Sequence, residues 1–562
     1  MSVIVNTAKE QIKDLILKAA ATAMEKGELD KAELPDFTIE VPANREHGDY
    51  AVNAAMVWAR AFRKAPRQIA EILTANFDFD NSYIKAFEIA GPGFINLFLK
   101  DSYYADIVAD VLAKKENYGK SNYGEGKKVL VEFVSANPTG PMHIGNARGG
   151  ALGDCLAAVM EAAGYYTERE FYINDAGNQI NKFGLSLDLR YLQLYKDGIE
   201  MPEDSYHGED IINHAKAFAE IYGDSFVEKS ETDRRKALVE FALPKNIDGL
   251  KIDLEKYRIT YNTWFKESTL HNSGETDKII SLLKESGYTY ETEGALWFKA
   301  TEFGCDKDFV LVRANGVPTY VVPDIAYHYN KLVTRGFDKA IDILGADHHG
   351  YVPRLKGALT ALGVDAEKLD VVLMQMVRLV RDGEVIKASK RSGKAITLVT
   401  LLDEVPIDAA RFFFNLREPN SHFDFDLDLA VNESNSNPVY YVQYAYARIC
   451  SIIRNLEAEG IAFRECNADE LTKLTASEEK ELILHIAGLT NEIIASAKAY
   501  DPAKITHYVE ELATKFHKFY AACRVKGEDE VLMMARLNLC KATAVVIKNV
   551  LDLLKIGAPE KM

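Results

Sequence analysis

The stretch VLVEFVSANPTGPMHIGNARGGALGDCLAAVMEAAGYYTEREFYI, residues 129–173, decides the fold. It opens on VLVEFV (129–134), a continuous apolar-rich run suited to a strand buried within a parallel sheet. The loop SANPTGPMHIGN (135–146) leads into a helix predicted by the alanines, leucines and glycines from about Ala147 to Ala163. Gly164 stands where a helix stop belongs, and Thr167 to Ile173 reads as a second strand. Strand, loop, helix and strand within some 45 residues make a βαβ unit, hence an open parallel sheet.

Outward from that unit the pattern changes on both sides. Up to about residue 118, helical spacing marks Val52 to Phe62 and Ile69 to Ile72, while Phe94 to Leu99 alternates as FINLFL after the turn Gly91-Pro92-Gly93. This predicts a small N-terminal α+β domain over 1–118, and the polar ENYGKSNYGEGK (116–127) reads as a linker. From about 182 to 295 the sequence turns polar, acidic and mostly helical, as expected of an insertion that splits the sheet domain. Apolar strands are expected again at FVLVR (309–313), TYVVP (319–323) and AIDILGAD (340–347). The sheet domain is assigned 119–400, a connecting segment 401–436, and an all-α bundle with heptad-like spacing 437–562. The fold class is therefore multidomain α/β: a Rossmann-type parallel sheet split by a helical insertion, an N-terminal α+β domain and a C-terminal bundle.

Composition bounds the function. A chain of 562 residues is too long for one core, so three or more domains are expected. Hydrophobic residues at 48% and charged ones at 27% are ordinary for a soluble globular protein. No stretch approaches the roughly 20 apolar residues that cross a bilayer, so no membrane partner is expected. The opening MSVIVNTAKEQIKDLILKAA reads as an amphipathic helix and not an export signal, which makes the cytoplasm the expected compartment. Cys155, Cys305, Cys450, Cys466, Cys523 and Cys540 are scattered without a Cys-x-x-Cys pair, which argues against structural zinc and against a disulfide framework. The net charge of −17 argues weakly against a nucleic-acid partner, because phosphate binding depends on local basic patches and not on the sum.

Three motifs carry chemistry. His143-Ile144-Gly145-Asn146 opens the helix after the first strand; a helix N-terminus offers free N–H groups and a positive dipole end, which suit a triphosphate. Gly145 lets a nucleotide approach the backbone, and the His143 imidazole and Asn146 amide can donate to phosphate oxygens. Lys387-Ala388-Ser389-Lys390-Arg391-Ser392-Gly393, about 245 residues further on, is a cationic segment able to stabilise growing negative charge. Between them Gly345-Ala346-Asp347-His348-His349 follows an apolar run, at the strand end where such sheets bind ligands. The adjacent histidines lack the spacing of a helical metal pair, so no metal ligand is assigned. Each motif alone reads as well as a turn or a charged surface loop; their order across a split parallel sheet favours the functional reading.

The three motifs resemble those of class I aminoacyl-tRNA synthetases: the His-Ile-Gly-His signature, with Asn146 in the fourth place; the Lys-Met-Ser-Lys-Ser loop, with Ala388 for methionine; and the adenosine-binding Gly-x-Asp turn. Val131 to Asn137 and the Tyr-x-x-x-Asp pattern at Tyr320 and Asp324 are similar to segments of the arginyl-tRNA synthetases of bacterial type, as is Pro42 to Tyr50 in the N-terminal domain. The resemblance implies that ATP meets His143, Gly145, Asn146, Gly345, Asp347, Lys387 and Lys390, of which His143, Asn146, Lys387 and Lys390 are catalytic. It implies that Glu132 and Asp324 hold the arginine guanidinium, with Tyr320 beside it and Asn137 on the α-amino group. A guanidinium with five fixed donors is well met by carboxylates in a desolvated pocket. ATP as substrate, Mg²⁺ with it, L-arginine and the tRNA that accepts it are the implied partners, the protein being a monomer. The family as a group needs tRNA before it activates arginine. Tyr440, Tyr441, Tyr444, Tyr446 and Arg448, with Arg524, Arg536, Lys541 and Lys548, mark the bundle as anticodon reader, although a helix core with a solvated face explains most of the tyrosines equally well. The rivals are a class I synthetase for another amino acid and a catalytically silent tRNA-binding paralogue.

Overall fold

The computed structural model describes residues 3–42, 44–386, 396–527 and 529–562. Its central sheet has strands β1 (Lys128–Glu132), β2 (Tyr166–Ile173), β3 (Thr263–Lys266), β4 (Lys339–Gly345) and β5 (Leu369–Met374) in the spatial order β5-β4-β1-β2-β3. Every neighbouring pair is parallel. The chain runs outward from β1 to β3, then returns to β4 on the other side of β1, so the strand order reverses between β1 and β4. Val129, Leu130 and Val131 are fully buried, as the unbroken apolar run requires. The crossover helix Ile144–Ala162 lies very close to β1: a Cβ on Gly153 would come within 2.2 Å of the Phe133 ring.

Three expectations are corrected. TYVVP (319–323) is no strand: Val321–Tyr329 is a helix, so Asp324 lies in a helix's first turn and not at a strand end. A short apolar run suits a buried helix face as well as a strand, and Pro323 is tolerated because first-turn N–H groups have no intrahelical acceptor. FVLVR (309–313) does form a strand, Phe309–Val312, but in a separate antiparallel sheet with Ala295–Phe298 and Thr289–Thr292. The stretch 182–295 is not wholly an insertion, since its TWFK segment is the edge strand β3. Four residues, three half-buried and one exposed, give too short a signal to stand out from charged helices on either side.

The helical part of that stretch is Gly177–Leu192, Glu209–Tyr222 and Glu231–Lys256, packed around Phe183, Tyr191 and Phe218. The N-terminal domain is a four-stranded antiparallel sheet flanked by helix Val3–Glu25, as expected of an α+β unit. Its sheet leads into helix Asp101–Lys114, which packs on the C-terminal bundle, where Lys480 Nζ reaches Asp101 at 2.7 Å. No described helix is long and apolar enough to cross a membrane.

Buried arginines fasten these parts to the helix Ile144–Ala162. Asp154, midway along it, accepts from Arg411 Nη2 at 2.5 Å and from Arg169 Nε at 3.0 Å. Arg411 is fully buried and also donates to the carbonyls of Tyr257 at 2.9 Å and Leu554 at 2.7 Å, which end the long insertion helix and the last bundle helix. Arg148, equally buried, donates to the carbonyls of Gln375, Glu418 and Ser421 at 2.7, 3.0 and 3.2 Å, and burial brings its guanidinium down to about 10. Breaking one partner of a buried ion pair leaves the other charge under-compensated. Arg411→Ala should therefore cost about 3–5 kcal/mol, while the exposed Arg67→Ala stays within about 0.5 kcal/mol. Denaturant unfolding followed at the catalytic body checks this; equal midpoints for the two variants would refute it.

Candidate active site

Beyond the C-terminal end of β1 lies a cleft of about 530 Å³, walled by Asn137, Gly140, His143 and Asn146 and, from the insertion, by Tyr206 and Asp210. His143 caps the helix with extended backbone (φ −88°, ψ 167°), and its N–H donates to Asn146 Oδ1 at 3.0 Å. Asn146 thus fixes the turn that points the first helical N–H groups toward the cleft, a role its amide oxygen performs without charge. A Cβ at Gly145 would meet nothing within 4 Å, so the fold does not require glycine there and leaves space for a ligand.

The second motif is tied to the first by backbone. Ile144 N–H donates to Ile396 O at 3.3 Å, Leu398 N–H donates to Met142 O at 2.9 Å, and His143 bridges Thr397. Lys387 and Lys390 themselves lie outside the described residues, between Ile386 and Ile396. On the neighbouring strand, β4 ends at Gly345, and Asp347 stands exposed in the one-turn helix Ala346–His348. The cleft, the loop stem and this turn thus gather where the strand order reverses, the usual ligand crevice of an open α/β sheet.

The chain leaves β1 through a strained turn. Val134 (φ 68°) and Ser135 (φ 40°) are both left-handed, and for a β-branched residue this is a true outlier, of the kind that clusters at functional sites. The turn brings the Ser135 hydroxyl onto Glu132 Oε1 at 2.8 Å while Tyr172 N–H donates to the same hydroxyl at 3.1 Å.

Behind this turn lies a buried chain of charges. Lys331 Nζ is 2.5 Å from Glu132 Oε2 and 2.9 Å from Asp342 Oδ1. His328 Nε2 is 2.6 Å from Asp342 Oδ2, and its Nδ1 is 3.2 Å from Asp324 Oδ1. Asp324 also accepts from the Tyr351 hydroxyl at 2.5 Å. Burial and Lys331 press His328 toward neutrality, but Asp342 and Asp324 overcome them and raise it from 6.5 to about 10. Asp324 is held below the usual carboxylate range: burial pushes it up, and the His328 cation with the His328 and Tyr351 hydrogen bonds pulls it further down. Burial pushes Glu132 up against the pull of Lys331; both its oxygens accept, from Lys331 and Ser135, so the ionised form is the one its hydrogen bonds require. Glu132, His328 and Asp342 could between them offer three ligand atoms to a metal, yet the Lys331 ammonium already lies between Glu132 and Asp342.

Of the residues expected around arginine, Asn137 is exposed in the cleft, Tyr320 is 69% exposed, and Asp324 keeps 29% of its side chain open. Tyr320 lies over Tyr351, ring centroids 5.9 Å apart. Glu132 does end β1, but its carboxylate is 9% exposed and faces Lys331. Sequence reasoning missed His328, Lys331, Asp342, Tyr351 and Ser135. Two signals were present: an acid, Asp342, in the middle of an apolar strand, and His328 four residues after Asp324 on one helix face. On the bundle, Tyr440 and Tyr444 stack at 6.5 Å, Tyr444 stacks on His517 at 5.8 Å, and Arg448 lies 4.9 Å from the Tyr520 ring centroid. Arg536 and Lys548 are engaged with Glu479 and Asp552.

Three family profiles match the chain: arginyl tRNA synthetase N terminal domain over residues 7–99, class I (R) tRNA synthetase catalytic domain over 107–434, and DALR anticodon binding domain over 442–562. The chain is 54% identical over 564 residues to an arginine–tRNA ligase of Acetivibrio thermocellus, covering 100% of both. It is 54% identical over 562 residues to one of Caldanaerobacter subterraneus, again covering 100% of both. The solved arginyl-tRNA synthetase of Thermus thermophilus superposes with a TM-score of 0.72 over 97% of this chain and 99% of that one, at 22% identity, a likeness of fold.

His328 keeps its proton in the folded protein up to about pH 10, whereas the unfolded chain releases it near 6.5. The folded state binds the extra proton between these values, so this stabilisation is complete below pH 6.5 and is lost as pH rises toward 10. Thermal unfolding scanned over that range should fall more steeply for the unmodified protein than for His328→Gln. Parallel slopes would show that the imidazole is neutral in the fold.

Proposed function

The chain belongs to the arginyl-tRNA synthetase family, and on that premise we propose that its cleft binds ATP and arginine on either side of the β1–β4 switch point and charges tRNA with arginine in two steps. In the first, the arginine carboxylate attacks the α-phosphorus of ATP and the bond to pyrophosphate breaks, giving arginyl-adenylate. In the second, the terminal ribose hydroxyl of the tRNA attacks the adenylate carbonyl, AMP leaves, and the hydroxyl proton passes to solvent. Neither step needs a covalent enzyme intermediate, so the protein contributes positioning and charge.

The triphosphate lies over the N-terminus of helix Ile144–Ala162, against His143, Gly145 and Asn146, with the adenosine ribose on Asp347 beside Gly345. Lys387 and Lys390 meet the departing pyrophosphate, and Mg²⁺ accompanies ATP, since the buried acids carry Lys331 already. Asn137 takes the α-amino group. Direct contact with the guanidinium falls to Asp324, because its side chain is 29% exposed whereas that of Glu132 is 9% exposed and faces Lys331; Glu132 contributes charge from behind, and Tyr320 covers the pocket. The tRNA runs from the N-terminal domain (1–118), along the catalytic body (119–400) and connecting segment (401–436), to the aromatic row of the bundle (437–562). The working form is a cytoplasmic monomer.

The observation that carries the arginine reading is Asp324: an ionised carboxylate, braced by Tyr351 and His328, with a face left open. ATP–pyrophosphate exchange should require arginine, and should be compared with and without tRNA. In Asp324→Asn the arginine KM should rise by one to several orders of magnitude, at about 1.4 kcal/mol per tenfold, with the ATP KM little changed. Citrulline, isosteric but neutral, should lose much of its disadvantage against arginine in that variant. Undiminished discrimination would remove Asp324 from the arginine site.

A further inference from the structure

His328 lies between two carboxylates carried by different elements, Asp324 one turn before it on helix Val321–Tyr329 and Asp342 on β4. A neutral imidazole has one N–H and one lone pair. Here both ring nitrogens face acceptors: Nε2 the Asp342 carboxylate at 2.6 Å, and Nδ1 both the Asp324 carbonyl at 2.8 Å and its carboxylate at 3.2 Å. Only the imidazolium donates on both sides. Asp342 is in turn bound to Lys331, and Lys331 to Glu132. Three carboxylates and two cations therefore alternate in one line from Glu132 to Asp324, and one negative charge is left over at the Asp324 end.

Position makes that end the useful one. Glu132, Lys331, Asp342 and His328 keep less than a tenth of their side chains exposed, whereas Asp324 keeps 29%. The Tyr351 hydroxyl occupies Asp324 Oδ2 at 2.5 Å and His328 faces Oδ1, which fixes the carboxylate plane. A buried ionic chain is a costly way to hold a fold, because apolar groups of the same volume commonly serve as well. Strongly perturbed buried groups beside a cleft instead point to use of the charge.

We propose that His328 is a positioning residue for arginine recognition: its cation, shared between Asp342 and Asp324, sets the orientation and charge of Asp324, so that the substrate guanidinium completes the line as its third cation. The inference rests on the reading that Asp324 meets the guanidinium. His328 does not touch the substrate and acts only through Asp324. Its replacement weakens arginine binding selectively, leaves ATP binding intact, and has no further effect once Asp324 has lost its charge.

A double-mutant cycle tests this, with ATP–pyrophosphate exchange in the presence of tRNA as readout for the unmodified enzyme, His328→Gln, Asp324→Asn and the double variant. His328→Gln should raise the arginine KM by about tenfold or more, as expected for two groups in direct contact, with the ATP KM within about twofold. The double variant should match Asp324→Asn within about threefold. An unchanged arginine KM in His328→Gln, or effects that multiply in the double variant, overturns the proposal. If Asp324→Asn itself leaves the arginine KM unchanged, it is the reading of Asp324 that fails, and this inference with it. A second measurement needs no folded variant: in ¹⁵N-histidine-labelled enzyme one imidazole should remain doubly protonated at pH 8, and its signal should shift when arginine is added. Histidines that are all neutral at pH 8 overturn the proposal equally.

Discussion

Asp154 is the carboxylate on which the arrangement of parts depends. It sits in the middle of the helix whose first turn borders the cleft beyond β1, and through Arg411 it is tied to the ends of an insertion helix and of the last bundle helix. Arginine suits this place for a geometric reason. Its planar fork offers several fixed donors at once, so one side chain satisfies a carboxylate and two helix-terminal carbonyls that belong to three different parts of the chain. Helix C-termini carry partial negative charge, and a cation between them and an acid is stabilised from every side. Gly153 of the same helix lets it press against Phe133 just past the end of β1, so the cleft's position relative to the sheet is set by contact on one face and by charge on the other.

The proposed site then has a polarity that matches its amino acid. At the helix N-terminus the unpaired N–H groups and the dipole make the field positive; at Asp324 the buried line of charges ends in a negative group. Arginine carries the opposite sequence, a carboxylate at one end and a guanidinium at the other. In the proposed site the substrate would thereby lie along the field, its carboxylate toward the α-phosphate. The left-handed turn at Val134 and Ser135 separates the two regions and holds Ser135 on Glu132.

Much of this was legible in residues 129–173 alone, because period and punctuation agree there: an unbroken apolar run, a proline- and glycine-containing loop, an alanine-rich helix and a stop. The place of His143 and Asn146 at a helix N-terminus beside the cleft was readable for the same reason, since that helix follows a buried strand. What sequence could not give was partnership. Lys331 and Glu132 are 199 residues apart, and nothing local says that the acid ending β1 is already taken. The strand β3 was hidden by its four-residue length, and the start of helix Val321–Tyr329 by an apolar run that suits either structure. These failures share one cause: the deciding contact lay outside the window being read.

The carbonyl of Leu554 is one of the groups that Arg411 donates to, and Lys555 and Gly557 offer theirs to Arg258 and Gln443. These acceptors come from the last stretch of the sequence, whereas Asp154 and Tyr257 are made hundreds of residues earlier. Until residue 554 has been made, Arg411 lacks the Leu554 carbonyl among its acceptors. A nascent chain that already carries the whole parallel sheet therefore still lacks one of the three partners, Asp154, Tyr257 and Leu554, that hold Arg411.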